Sequence, residues 1–540
     1  MKILKPSTYI LLLIIVLIAA VLRFYQLGSN PPSLTWDEAA WGYNAYSLGL
    51  DGKDEFGRFL PLNYLESFGD FKPPVYAYLD TLPVKTLGLN EFAVRFPSAL
   101  LGVLTVVLTY FLTKRIFNTS KFKNQYALFA SLFLAVSPWH VMLSRAAFEA
   151  NVATFFIVLG VLLFLMAMQS NKWFLILSFA SFVISIYTFN TARIVSPLLL
   201  LLLIFLFRKK ILNLKKEIVI ASLISLILIL PILKFLFSSQ ASLRFKEVNI
   251  FSDSSVVALS NQEIKNNNNA FWSKILYNRR IIFSVEYLKH YFDNFSPNFL
   301  FIKGDGNPKF STQDVGELFL FDLPFLVVGL FLLVKKKEAN WYLVPLWLIL
   351  GIIPAATARE TPHALRIETT LPTFQILTAY GFVQILNKFK SRKFLIISLI
   401  LLFLNLVYFL HGYIFHYAKE FSGEWQYGYK DSINYVNNNQ DKYSQINVTE
   451  ELGRPYIYYL FYLQKKPDDF RKSAIVEREA LGFVSVVGFD KYRFGKDLGK
   501  INSPSKSLYI DVPSKVPSNA NILKTFRLLN GNSALIAYTL

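Results

Sequence analysis

The run Tyr9 to Leu22 (YILLLIIVLIAAVL), followed a little further on by Thr35-Trp36-Asp37-Glu38-Ala39-Ala40-Trp41, decides how the rest of the chain is read. The first stretch is apolar enough to enter a bilayer, whose core of about 30 Å takes roughly 20 mostly apolar residues of helix. The second sets two carboxylates and two indole rings just beyond it. Outward from there the apolar pattern recurs, and we read eleven spans in all, near 9–27, 94–113, 126–143, 150–168, 173–189, 194–207, 217–237, 317–334, 341–357, 367–386 and 394–411. Lys2 and Lys5 precede the first run and no small-x-small cleavage site follows it. It is therefore read as a retained span and not as a signal peptide.

Composition agrees. Of 540 residues, 54% are hydrophobic, 16% aromatic and only 17% charged, where soluble domains carry about a quarter charged residues. A soluble multidomain enzyme, a disordered chain and a disulfide scaffold are excluded. With no Cys, thiolate metal sites and cysteine catalysis are excluded too. The net charge of +20 sits in short clusters after apolar runs, which is a topology signal and not a nucleic-acid-binding face.

Those clusters set the expected orientation. Lys2 and Lys5 precede span one, and Lys114, Arg115, Lys121 and Lys123 follow span two. Lys172 follows span four, and Arg208, Lys209, Lys210, Lys215 and Lys216 follow span six. Lys335 to Lys337 follow span eight, and Lys388, Lys390, Arg392 and Lys393 follow span ten. Every even-numbered exit is basic, which predicts a cytoplasmic N-terminus in a multi-pass protein of the cell membrane. The expected organisation is a helical membrane domain over 1–411, with outer loops at 28–93 and 238–316, and a small outer α/β domain over 412–540. The loop 238–316 carries the polar tract Asn266 to Asn269, read as a mobile stretch. In the tail, strand-like runs (Gln445 to Thr449, Ser507 to Val512, Ala534 to Thr539) alternate with helix-like ones (Asp431 to Val436, Pro455 to Gln464).

Ionisable groups at span ends carry the chemistry, because charge at membrane depth is costly and usually lines a cavity or a substrate path. Thr35 is read as a helix N-cap with Asp37 and Glu38 in the first turn, where the helix dipole favours anions. The plainer reading is that both carboxylates only cap an interfacial helix. In Gly69-Asp70-Phe71-Lys72-Pro73-Pro74-Val75-Tyr76, the prolines fix the backbone and Lys72 is a point charge suited to a phosphate. Its plain alternative is snorkelling to headgroups. Arg145 and Glu149 stand four apart, so on one helix they would share a face, as a simple ion pair or as part of a site. Arg193 lies at an outer end, and Arg359-Glu360-Thr361-Pro362-His363-Ala364-Leu365-Arg366 reads as a cationic cluster. All these groups are expected on one side of the membrane, a combination suited to an anionic lipid head beside acid–base chemistry.

These residues resemble a known family. Asp37-Glu38 after span one is similar to the acidic motif of the GT-C polytopic glycosyltransferases. FKPPVYAYL, EFAVRFPSALLGVLTV, Ser144-Arg145 with Glu149, and PHALR resemble its family 39 and aminoarabinose-transferase branch, the dolichyl-phosphate-mannose–protein mannosyltransferase-like proteins. The resemblance covers roughly 20–200, is weaker at 355–385, and is absent from 238–316 and the tail. It implies inverting transfer of a sugar from a polyprenyl-phosphate-linked donor to a lipid, protein or glycan acceptor on the outer face. It also implies Asp37 as base, Glu149 as a second-loop carboxylate and Lys72 as the residue approaching the donor phosphate. Phe71 departs from the pattern, since an acidic residue often precedes that Lys; here Asp70 is one place further back.

The chemistry of the residues fits the same outline. A hydroxyl needs a carboxylate to take its proton, a leaving phosphate needs a cation, and an oxocarbenium-like centre is offset by a second carboxylate. Asp37 is the expected base, with Glu38 or Glu149 orienting the acceptor or offsetting sugar charge. Lys72, Arg145, Arg193, His363 and Arg366 are the expected phosphate-side residues. No residue is assigned to a metal, no cofactor is required, and a divalent metal is left open. A lipid-linked glycan flippase or transporter is the alternative from another class, but it needs polar mid-span residues and the span centres here are apolar. An oligosaccharide ligase or polymerase differs by whether the donor carries one sugar or many.

Overall fold

A computed structural model describes residues 7–238, 241, 249–478 and 484–540. Lys2 and Lys5, and parts of the loop 238–316, lie outside the described residues. The chain divides into two compact units, Met1–Ala20 with Gly102–Met142 and Ala150–Phe409, and Val21–Leu101 with Leu143–Glu149 and Leu410–Leu540. The second unit thus gathers the first outer loop, a short connection and the tail.

The helices met in order are α1 (Thr8–Phe24), α2 (Trp36–Asp51), α3 (Val75–Leu87), α4 (Glu91–Ile116), α5 (Lys123–Val136), α6 (Pro138–Arg145) and α7 (Glu149–Gln169). Then come α8 (Phe174–Ile186), α9 (Ala192–Leu206), α10 (Lys215–Leu236), α11 (Ser254–Asn266), α12 (Phe271–Leu276) and α13 (Arg279–Asp293). The remaining apolar helices are α14 (Asp322–Lys336), α15 (Leu343–Ile352), α16 (Thr373–Phe389) and α17 (Arg392–His411). Among the described residues, four helical stretches are each long and apolar enough to cross a membrane: α4, α7, α10 and Arg392–Phe421. The pair α5 and α6, bent by 55°, is long and apolar enough only when the two are taken together.

The other six expected spans are helices of 10–17 residues. At 1.5 Å per residue these rise about 15–26 Å, short of a full core. The cause is local. Pro354 follows the end of α15, and α16 starts only after Pro372. Residues 317–321 stay irregular, with the Glu317 and Leu318 N–H groups bonded to the Phe299 and Leu300 carbonyls. The tract Asn266 to Asn269 ends α11 in a turn, with Asn268 and Asn269 at φ 53° and 56°.

Within the first unit α14 and α16 meet backbone to backbone. A Cβ on Gly329 would come 2.0 Å from the Leu377 carbonyl oxygen, and one on Gly381 would come 2.0 Å from that of Phe325. Small residues permit such close helix crossings where lipid supplies no hydrophobic drive between helices. Rings fill the space around the crossing: Phe382 lies 5.1 Å from Phe325 and 4.6 Å from Phe129.

In the second unit, β1 (Leu65–Ser67) and β2 (Asp70–Lys72) form an antiparallel hairpin in which Leu65 faces Lys72. Its two central residues, Phe68 (φ 43°) and Gly69 (φ 79°), both take positive φ, the turn whose twist matches a tight hairpin. The tail builds a seven-stranded mixed sheet from β3 (Gln445–Thr449), β4 (Ile475–Arg478), β5 (Val484–Phe489), β6 (Tyr492–Gly495), β7 (Ser507–Asp511), β8 (Asn521–Arg527) and β9 (Ser533–Thr539). The order is β4-β5-β6-β3-β7-β9-β8, with β3 parallel to β6 and β7. The helices α18 (Tyr429–Asn439), α19 (Pro455–Tyr462) and α20 (Pro467–Ser473) complete the tail. Every residue of α19 except Tyr462 is buried, as befits a helix that is apolar all round. On one side Tyr459 meets Tyr492 and Phe494 of the sheet. On the other, Phe461 and Val94 fill the space where a Cβ on Gly42 of α2 would stand.

Candidate active site

The site is built at the start of α2. Thr35 Oγ1 accepts the Glu38 N–H at 3.2 Å, and Glu38 Oε2 accepts the Thr35 N–H at 2.9 Å, a reciprocal capping box. The helix therefore begins at Trp36 and holds Asp37 and Glu38 side by side in its first turn. Their environments then diverge.

Glu38 is sealed in. Its Oε1 accepts Arg95 Nε–H at 2.8 Å and the Ala147 N–H at 3.0 Å; Arg95 Nη2 reaches Oε2 at 3.2 Å. Arg95, fully buried, also donates to the carbonyls of Leu27 (3.1 Å), Pro31 (2.8 Å) and Ser33 (2.5 Å). The expected handling of acceptor or sugar by Glu38 is corrected here. Its oxygens are spent on a cap, a guanidinium and the backbone between α6 and α7, so it shapes the site and has no free face.

Asp37 is different. Its side chain keeps 48% of its surface, and Oδ1 accepts from Lys72 Nζ. Lys72 is only 5% exposed and lies 4.3 Å from the centre of the Phe68 ring and 5.0 Å from that of Trp41. A cation over two aromatic faces is held by their quadrupoles as well as by the carboxylate. Lys72 therefore faces inward on a strand and does not snorkel. The Glu149 carboxyl, first residue of α7, interacts electrostatically with Asp37, Lys72 and Asp70.

Arg145 is not on a shared helix face with Glu149. α6 ends at Arg145, α7 begins at Glu149, and the break between them is held by the bond from Ala147 to Glu38. Arg145 turns away to the carbonyls of Leu22 (2.8 Å), Arg23 (3.3 Å) and Asn30 (2.7 Å), and to the Tyr413 hydroxyl (3.2 Å). With 3% exposure it pins backbone, and each of its three nitrogens donates to at least one of these groups.

Below the hairpin lies a buried carboxyl that the sequence reading passed over. Glu55 accepts from Tyr456 Oη at 2.8 Å, Ser67 Oγ at 2.7 Å and Asn44 Nδ2 at 3.0 Å. Burial pushes it up to about 7, against the pull of those hydrogen bonds, and the neighbouring Asp54 adds to the rise.

Arg193, His363 and Arg366 belong to the first unit. Arg193 lies with its guanidinium 5.6 Å from the centre of the Phe235 ring. His363 corrects the expected cationic cluster. Burial, helped by the Arg366 charge, brings it down to about 3, so the imidazole is neutral. Its Nδ1 is 3.6 Å from Asp305 Oδ2, but Asp305 is itself raised to about 6 by burial, and that oxygen accepts the Ala364 N–H at 2.7 Å. This is a polar brace, not an ion pair. Among the described residues no group of three or more His, Asp or Glu is arranged to hold a metal ion.

Sequence reasoning missed Arg95, Asn44, Ser67 and Tyr456 besides Glu55. For Arg95 a signal existed: an Arg at the head of an apolar span implies a buried partner.

The architecture is that of a polytopic α-helical membrane protein of the GT-C fold with a small α/β domain at its C-terminal end. The chain superposes on ArnT from Cupriavidus metallidurans in the apo state at a TM-score of 0.57 with 13% identity, covering 97% of both chains. The same protein bound to undecaprenyl phosphate gives 0.55, over 99% of this chain and 98% of that one. Archaeal oligosaccharyltransferase AglB from Archaeoglobus fulgidus, in complex with an inhibitory peptide and a dolichol-phosphate, gives 0.51 with 14% identity, over 86% of this chain and 64% of that one. Residues 71–235 match the family described as dolichyl-phosphate-mannose-protein mannosyltransferase. An uncharacterized protein of Aquifex aeolicus (strain VF5) is 34% identical over 165 residues, 30% of this chain and 31% of that relative. The chain thus aligns with about a third of the curated relative it matches.

Proposed function

We propose that the protein is an inverting glycosyltransferase moving a sugar from a polyprenyl-phosphate-linked donor to a lipid, protein or glycan acceptor on the outer face of the membrane. The observation that carries this reading is the half-exposed Asp37 paired with the buried Lys72, beside Glu149, in a GT-C fold. The solved structures of this fold in complex with undecaprenyl phosphate and with a dolichol-phosphate support a lipid-phosphate donor. Asp37 takes the proton of the acceptor hydroxyl, whose oxygen attacks the anomeric carbon as the bond to the donor phosphate breaks on the opposite side. The electron pair leaves on the phosphate oxygen, and Lys72 offsets that charge. Incoming phosphate competes for Lys72 and so releases Asp37 as an acceptor of the proton. Glu149 offsets positive charge on the sugar. Glu38, Arg95 and Arg145 fix the backbone around these groups. Arg193 is retained as a candidate for a contact along the donor.

A second reading is an oligosaccharide ligase, which the likeness to AglB favours. Both are tested in purified protein in lipid, supplied with labelled polyprenyl-phosphate-hexose or with a lipid-linked oligosaccharide, wild type against Asp37→Asn. Turnover of the single-sugar donor that vanishes in the variant supports the transferase. Turnover of the oligosaccharide donor alone selects the ligase, and full activity in Asp37→Asn overturns the base.

A further inference from the structure

The middle of α2, the β1–β2 hairpin and the tail helix α19 converge on one carboxyl group. Glu55, with no exposed surface, accepts from Asn44 Nδ2 with Oε2 at 3.0 Å, and its own N–H donates to Asn44 Oδ1 at 3.0 Å. Asn44 is seven residues after Asp37, two helical turns along the same face of α2. Oε2 also accepts from Ser67, the last residue of β1, at 2.7 Å. Oε1 accepts from the Tyr456 hydroxyl of α19 at 2.8 Å. That hydroxyl in turn accepts the Phe68 N–H at the hairpin turn, at 3.0 Å. The Phe68 ring is one of the two surfaces beneath the Lys72 ammonium. The element that carries Asp37 and the element that carries Lys72 are therefore fastened to the same buried carboxyl, which the tail completes.

We propose that Glu55 and Tyr456 are positioning residues that set the Asp37–Lys72 geometry, so that the C-terminal domain acts on the donor-phosphate end of the site. This rests on the functional reading above. Closed networks of this kind are worth more than their separate bonds, and a misplacement of about 1 Å at a reacting group costs on the order of 10²-fold in rate. The titratable groups facing Glu55 are Asp54 beside it in the chain, Tyr43 from α2 and Tyr456 from α19. Arg454 interacts electrostatically with the tyrosine.

The experiment is a double-mutant cycle on the full chain in lipid nanodiscs, using Tyr456→Phe, Lys72→Met and both together. The first readout is kcat/KM with a polyprenyl-phosphate-hexose, and the second is amide hydrogen exchange of residues 65–72. Tyr456→Phe is expected to lower kcat/KM about 10–100-fold and to speed exchange in the hairpin. In the Lys72→Met background its effect on kcat/KM is expected to shrink to less than about 3-fold, because contacts acting through one another are not additive. Equal losses in both backgrounds overturn the proposal, since a merely structural role is additive. Unchanged exchange at 65–72 overturns it as well. Should the wild type turn over no donor, the functional reading falls, and exchange alone then decides whether the hairpin is set from Tyr456. Glu55→Gln puts an N–H donor where one of the two acceptor oxygens stands, and is expected to lower kcat/KM and to speed exchange at 65–72 in the same direction as Tyr456→Phe; unchanged exchange at 65–72 in Glu55→Gln overturns the network.

Discussion

The head of α2 and the segment around His363 look alike in sequence, since each packs several ionisable residues next to an apolar helix, yet they end up with opposite electrostatics. At α2 one carboxylate is sealed by Arg95 while its neighbour stays half-exposed beside Lys72. Around His363 the imidazole is neutral, Asp305 is raised, and the polar atoms brace backbone. The difference is water. Asp37 keeps solvent and a counter-charge in Lys72; His363 is buried beside the Arg366 charge, and both effects drive its proton off. A charged residue in the sequence becomes a charge in the protein only where solvation or a partner sustains it.

Two substitutions in adjacent residues press this contrast hardest. Asp37→Asn is expected to lower transfer by about 10³-fold or more, within the usual range for a general base, with thermal unfolding unchanged. Glu38→Gln leaves Arg95 buried without its counter-charge, which costs about 3–5 kcal/mol. Its expected signature is a lowered unfolding temperature and a poor yield of folded protein, with residual activity per folded molecule. Interchanged signatures would mean that the sealed and open roles are assigned to the wrong carboxylates. Next in size, Lys72→Met is expected to cost about 10²-fold in kcat/KM for the donor while leaving Asp37 solvated and the fold intact, as read by donor titration and thermal unfolding of the same samples.

What could be read in the sequence follows from how local each signal is. The cap at Thr35 spans three residues and was legible, as was the placement of Asp37 in a first turn. The partner of Glu38 is 57 residues away, and nothing in the local pattern around Asp37-Glu38 announces it. Arg145 and Glu149 failed as a shared face because a distant group, Glu38, holds the chain open between them. Lys72 was legible as a fixed cation, but its strand was not, although Phe68-Gly69 is a turn signal. In the tail the central strands β3, β7 and β9 are continuous buried runs and were found, with α18 and α19. The strands β4 and β8 are edges with exposed side chains, which leaves little apolar pattern to read.

The His363 side of the contrast is tested by acid. Its folded value of about 3 lies below the unfolded 6.5, so the unfolded chain binds a proton that the folded chain refuses. Stability from this group is present above pH 6.5 and is lost as pH falls toward about 3. Asp305 has the opposite sign: raised from 3.8 to about 6, its contribution is present below 3.8 and lost as pH rises through about 6. Substituting His363→Gln removes only the first effect. The gap in unfolding free energy between variant and wild type is then expected to widen in the variant's favour by up to about 1.4 kcal/mol per pH unit below 6.5. A gap that stays constant from pH 7 to pH 5 would show that His363 is charged in the folded protein after all.

The smallest effect is expected at Arg366, and it sharpens the comparison from the other end. The guanidinium donates to the Glu360 carbonyl at 3.0 Å and stands 3.9 Å from the Glu360 carboxylate, which is largely exposed. Pairs of that kind contribute about 0–1 kcal/mol. With His363 neutral, Arg366 has no imidazolium charge from that neighbour to act with. Arg366→Gln is accordingly expected to move the donor KM by less than about 3-fold and the unfolding temperature hardly at all. If instead it matched the loss in Lys72→Met, charge around His363 would be serving the donor as directly as the charge at α2, and the division between a sustained and a quenched set of ionisable groups would not hold.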